Sequence, residues 1–142
     1  MEYWKIIIAV AGLIVGILQI SPEWFENVFA ENTKIIPPLP QEVSEVRNLD
    51  SFMSGQTKNV RGVVIKANEG GGNLYFTLQD VRNNATIKGV LFEKTSNKNP
   101  LAKRLILRSC DNRVMVYLKG KINIYNDELQ IITWEVFEKW NG

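Results

Sequence analysis

Apolar and polar residues alternate most cleanly between Leu74 and Gln79. Leu74, Phe76 and Leu78 fall on one side, and Tyr75, Thr77 and Gln79 on the other. A period of two is the signature of a half-buried strand. Gly70-Gly71-Gly72 precede the run as a flexible turn, and Asp80 with Arg82-Asn83-Asn84 ends it with turn chemistry. Alternation resumes from Thr86 to Phe92, so the two runs predict a hairpin. An earlier strand is predicted over Asn59 to Ala67 from Val60, Val63, Val64 and Ile65, and Gly62 inside it marks a bulge or sharp bend. After a polar loop, Thr95 to Asn99, Pro100 opens a short helix that Leu101, Leu105 and Arg108 continue to about Ser109. Arg113 to Ile124, with Gly120 in it, and Leu129 to Phe137 are two further strands around a turn at Asn126-Asp127. The predicted order is three strands, one helix, two strands.

The start of the chain follows another pattern. Ile6 to Leu18 has no polar side chain, Gln19 and Ile20 extend it, and Tyr3, Trp4, Trp24 and Phe25 flank it. An apolar helix with aromatic residues at both ends reads as a single membrane span. A cleaved signal peptide is the competing reading, with small residues at Val28 and Ala30 suited to the peptidase. The anchor is favoured because Trp24, Phe25 and Phe29 separate the apolar run from that site. Lys5 before the span, and no Lys or Arg after it until Lys34, put the N-terminus in the cytoplasm and the following domain outside. Ile35-Ile36-Pro37-Pro38-Leu39-Pro40 favours extended polyproline II and reads as a stalk. The expected organisation is a membrane-anchor helix over 1–25, a Pro-containing linker over 26–45 and a β domain over 46–142.

Charge separates the two halves. Residues 1–50 hold three basic against seven acidic residues, a net −4, and residues 51–142 hold fourteen against eight, a net +6. A basic domain points to an anionic partner. The single cysteine, Cys110, excludes an internal disulfide framework. The absence of histidine removes the commonest general base and the commonest metal ligand. Asp80, Asp111, Asp127 and Glu128 sit at turns and strand ends in no spacing that demands acid–base work. The expectation is a non-catalytic chain with no cofactor and no metal.

Val60-Arg61-Gly62-Val63-Val64, Gly72-Asn73-Leu74-Tyr75-Phe76-Thr77-Leu78-Gln79-Asp80 and Ile87-Lys88-Gly89-Val90-Leu91-Phe92 together resemble the N-terminal OB domain of the exonuclease VII large subunit. Val114 to Gly120, Tyr125 and Leu129-Gln130-Ile131 continue the resemblance, which covers about residues 46–138. The pattern is shared more loosely with anticodon-binding OB domains of aminoacyl-tRNA synthetases. A second resemblance is to small bacterial periplasmic OB-fold proteins with an N-terminal signal. The fold implied is an all-β, five-stranded OB barrel with one short helix between strands three and four. The catalytic region of the exonuclease subunit has no counterpart here, so nuclease activity is not implied.

In such a barrel Leu74, Phe76, Leu78, Ile87, Leu91, Val114, Val116, Leu118, Leu129 and Ile131 fit the inward set. The outward set then includes Arg61, Tyr75, Thr77, Lys88, Val90 and Phe92, with Lys66 and Lys94 extending the charge at the strand ends. Rings beside cations suit single-stranded DNA or RNA, whose bases stack while the groove follows the backbone. The candidate nucleic-acid-binding residues are therefore Arg61, Lys66, Tyr75, Thr77, Lys88, Phe92 and Lys94. Lys103, Arg104 and Arg108 read as a solvated helix surface, and Trp134 and Trp140 as packing. The function expected is a membrane-tethered module for single strands. The alternative is an envelope module that holds a protein or a small anionic ligand.

Overall fold

The computed structural model describes residues 36–140. The expected anchor and the first ten residues of the expected linker lie outside the described residues. Among the described residues, no helix is long and apolar enough to cross a membrane.

Ile36 to Pro40 form no regular element. β1 (Val43–Glu45) follows, then two short 3-10 turns, Val46–Asn48 and Ser51–Met53. β2 (Thr57–Gly70), β3 (Asn73–Gln79) and β4 (Thr86–Leu91) form an antiparallel meander. Two helices come next, α1 (Glu93–Lys98) and α2 (Pro100–Asn112), and β5 (Met115–Tyr125) and β6 (Glu128–Phe137) close the chain as a hairpin. Among the described residues the fold is mostly β, with six strands in one sheet. β4 pairs with β6 in parallel and β5 returns to β2, so five of the strands close a ring. Closure pairs each of those five strands on both sides over part of its length, which shortens the free edge that could template aggregation.

The interior holds the inward set. Leu74, Phe76, Leu78, Ile87, Leu91, Val116, Leu118 and Ile131 are buried in one cluster, while Val114 and Leu129 are half-buried at its margin. Ala102, Leu105 and Ile106 of α2 join that cluster. Ser109 pins the helix to the ring: its hydroxyl accepts from the Val64 amide at 3.0 Å and donates to the Val114 carbonyl at 2.6 Å. Register slips in β2 beside this point, between Val64 and Lys66. Gly62 is needed for another reason than a bend. A Cβ there would lie 2.6 Å from the Gln79 carbonyl oxygen of β3.

Several expectations change. The polar stretch expected as a loop, Thr95 to Asn99, falls mostly within α1, whose first amide, that of Glu93, donates to the Asn73 side chain at 2.9 Å. The helix expected from Pro100 to about Ser109 runs on to Asn112, where Arg113 ends it in the left-handed region at φ 55°. Val43–Glu45, expected in the linker, is a strand of the folded unit. It pairs in parallel with Asn59–Arg61 of β2, the stretch of that edge which β3 leaves open, since the pairing of β2 with β3 begins at Val63.

Candidate functional site

Four strands present their outer face in cross-strand rows. One row runs Lys66, Thr77, Lys88, Gln130 across β2, β3, β4 and β6; the next runs Asn68, Tyr75, Val90, Ile132. Side chains directly opposite one another on one face of a sheet touch. Lys66 and Lys88 are exposed, Thr77 and Gln130 are half-buried between strands, and Tyr75 is 44% exposed. Val90, expected outward, does lie in this row but is only 1% exposed, so it supplies packing and no contact surface.

The β5–β6 hairpin closes one side of this face. Tyr125 and Glu128 pair directly, leaving Asn126 and Asp127 as a two-residue turn with φ of 52° and 64°. Positive φ at both central residues is the turn whose twist matches a hairpin, and Asn and Asp tolerate it better than other side chains. The turn sets Tyr125, 63% exposed, beside the sheet face. Tyr75, Lys88, Tyr125, Asn126, Glu128 and Gln130 then line a cleft of about 360 Å³, whose floor includes Phe76 and Gly89. The glycine makes that floor possible: a Cβ at Gly89 would stand 2.2 Å from Cζ of Phe76. Lys88 Nζ lies 3.5 Å from Glu128 Oε1, and both side chains are well exposed. The cleft thus offers two ring faces, two side-chain amides and one solvated ion pair.

The remaining candidates go elsewhere. Arg61, expected on the binding face, is fully buried. Its Nε and Nη2 donate to Glu45 Oε1 and Oε2 at 2.9 and 2.8 Å, under the cover of β1. The Glu45 carboxylate and the Tyr117 hydroxyl outweigh the cost of burial and hold the guanidinium above the ordinary arginine range. Phe92, 42% exposed, caps α1 just past the end of β4, and Lys94 lies on the first turn of that helix; neither lines the cleft. Lys103 pairs with Glu69 at 3.1 Å and Arg108 with Glu138, as a solvated helix surface should. Trp140 packs on Tyr117 and Phe137 at ring distances of 5.9 and 6.0 Å.

Asp80 organises the far end of β3. Its Oδ2 accepts from the Arg47 amide at 2.9 Å, and its Oδ1 accepts from the Arg47 guanidinium at 2.7 Å and the Arg82 amide at 2.8 Å. Burial alone would push this carboxyl up. The two amides and the Arg47 charge more than offset it and hold Asp80 below the usual carboxylate range. These partners make it a structural clip between β1 and the β3–β4 turn. Among the described residues, no cluster of three metal-ligating side chains occurs.

No family model matches the chain, and no curated protein matches it. Solved structures do. The chain is similar to OBody AM1L10 bound to hen egg-white lysozyme, with 15% identity over 75% of this chain and 100% of that one, at a TM-score of 0.55. It is similar to OBody AM3L15 bound to hen egg-white lysozyme, with 14% identity over 70% of this chain and 95% of that one, at 0.52. It is also similar to asparaginyl-tRNA synthetase from Pyrococcus horikoshii complexed with asparaginyl-adenylate, with 9% identity over 68% of this chain, at 0.51. The likeness is one of fold. It spans 22% of the synthetase chain. It supports an OB-fold, while the resemblance to the exonuclease VII subunit rests on the sequence motifs alone.

Tyr125, Asn126, Glu128 and Gln130 line the cleft, and strand alternation did not single them out. The signal available was the Asn126-Asp127 turn. It becomes informative once ring closure sets β6 beside β4, which brings this hairpin against Tyr75 and Lys88.

Proposed function

We propose that the chain is a non-catalytic OB-fold module that binds single-stranded nucleic acid on the outer face of β3, β4 and β6. One observation carries the reading: exposed Tyr75 and Tyr125 line one cleft beside the Lys66–Thr77–Lys88–Gln130 row. Rings accept bases by stacking, which contributes about 1–3 kcal/mol per base, and the lysine row follows the phosphates. Arg61 is no part of this surface. The apolar run before residue 25 would tether the module to a membrane, and retention of the full-length chain through carbonate washing tests that. The direct test of binding is fluorescence anisotropy of a labelled oligothymidylate titrated with the full chain at several salt concentrations. Binding should weaken as salt rises, because bound cations release counterions from the strand.

A second reading has an observation of its own. The OBodies of similar fold are bound to a protein, hen egg-white lysozyme. The same face would then hold a protein partner, as an envelope interaction module would. A folded chain that ignores single strands at low salt favours this second reading.

A further inference from the structure

The cleft has a feature that plain backbone binding does not call for. Glu128 places a carboxylate beside the very lysine expected to meet phosphate, with Lys88 Nζ 3.5 Å from Glu128 Oε1. A carboxylate repels phosphate oxygens. It accepts hydrogen bonds, however, and its two oxygens match two adjacent donors. Among the bases, guanine alone presents adjacent N1–H and N2–H donors on its Watson–Crick edge. Thymine and uracil present one N–H between two carbonyl oxygens, which a carboxylate rejects. Tyr75 and Tyr125 supply rings for a base in the same cleft, and the Asn126 and Gln130 amides add both donors and acceptors. The ammonium of Lys88, 3.5 Å away, offsets part of the carboxylate's charge.

We infer that the cleft takes one unstacked base and that Glu128 makes guanine the preferred one. This inference rests on the single-strand reading proposed above. Glu128 sits at the first position of β6, fixed by the Asn126-Asp127 turn, and its side chain is 66% exposed. A Glu128→Gln variant should therefore fold as the parent does, which a melting curve verifies.

The test titrates the full chain into four short labelled strands at low salt: oligothymidylate, and the same strand with one central guanosine, inosine or adenosine. A bidentate contact to a base discriminates by roughly 5- to 150-fold. The guanosine strand should bind tighter than oligothymidylate by a factor in that range. Inosine, which lacks the 2-amino group, should lose most of the gain. Glu128→Gln should abolish the guanosine preference, bringing the guanosine and oligothymidylate strands to equal affinity. Equal affinity of the parent chain for guanosine and thymidine strands overturns the inference while the single-strand reading stands. So does an equal rise for all four strands in Glu128→Gln, since the carboxylate would then act only as a charge. Failure to bind any strand overturns both readings together.

Discussion

Replacing Arg61 by methionine separates a structural role from a binding role most sharply. The guanidinium is fully buried and forms a fork with Glu45, itself 2% exposed. Methionine keeps much of the volume of the side chain but leaves a carboxylate buried without its main partner. Breaking a buried pair from one side costs about 3–5 kcal/mol, because the remaining charge has lost its compensation. Here the cost should fall near about 3 kcal/mol, the lower end of that range, because Arg47 Nη2 stays 4.0 Å from the Glu45 carboxylate. At about 4–8 °C per kcal/mol for a domain near 100 residues, the melting temperature should drop by roughly 12–24 °C. The urea midpoint should fall in parallel. Replacing both partners, Glu45→Met with Arg61→Met, should recover most of the loss, since two apolar side chains leave no uncompensated charge. The assay is urea unfolding of the full chain followed by tryptophan fluorescence, with the salt dependence of oligothymidylate binding measured below the transition. If Arg61→Met keeps the parental midpoint and flattens the salt slope, the reasoning is refuted, because Arg61 would then contact phosphate.

Four other outcomes follow from the same geometry. Tyr75→Ala should weaken oligothymidylate binding by about 1–3 kcal/mol with an unchanged salt slope, whereas Lys66→Ala should lower the slope by about 0.7; anisotropy titrations at several salt concentrations read both. Lys88→Ala should change the slope less than Lys66→Ala, since Glu128 already shares its charge. Because the folded Asp80 carboxyl lies below its unfolded value, its contribution is full above the unfolded pKa of about 3.9 and fades as pH falls through the folded value. Asp80→Asn should thus be less stable than the parent at pH 7, with the gap closing in acid, as urea midpoints across pH would show. Gly89→Ala forces a methyl into the Phe76 ring and should cost about 1–3 kcal/mol, read as a lowered melting temperature.

The strands were legible where one face is buried and the other wet. Leu74–Gln79 alternates over its whole length, and its inward residues are buried as the pattern requires. The observed order is four strands, two helices and two strands, so the expected three strands, helix and two strands are all present but β1 and α1 are added to them. Alternation assigns a side chain to a face, though, and says nothing about what covers that face. Arg61 does lie opposite to its core neighbour Val60, but β1 covers it, and β1 is three residues long, too short to show a period. Val90 was misjudged for the same reason. α1 went unread because all six of its residues are polar, so no helical stripe exists; the Asn73 side chain and the Thr95 carbonyl hold its two ends. The cleft needed ring closure to be seen, since its two tyrosines stand fifty positions apart and meet only through the β4–β6 pairing.

The placement of β1 has a mechanical consequence. Tension in the chain ahead of Val43 reaches β1 first, and β1 is joined to the ring by three residue pairs with Asn59–Arg61 and by the Glu45 and Arg47 side chains. The ring itself is closed without β1. A pull on that stretch would therefore peel β1 before it opens the five-stranded wall. The cleft lies on β3, β4, β5 and β6, none of which pairs with β1, so the path from β1 to it runs through the Arg47–Asp80 clip and through β2.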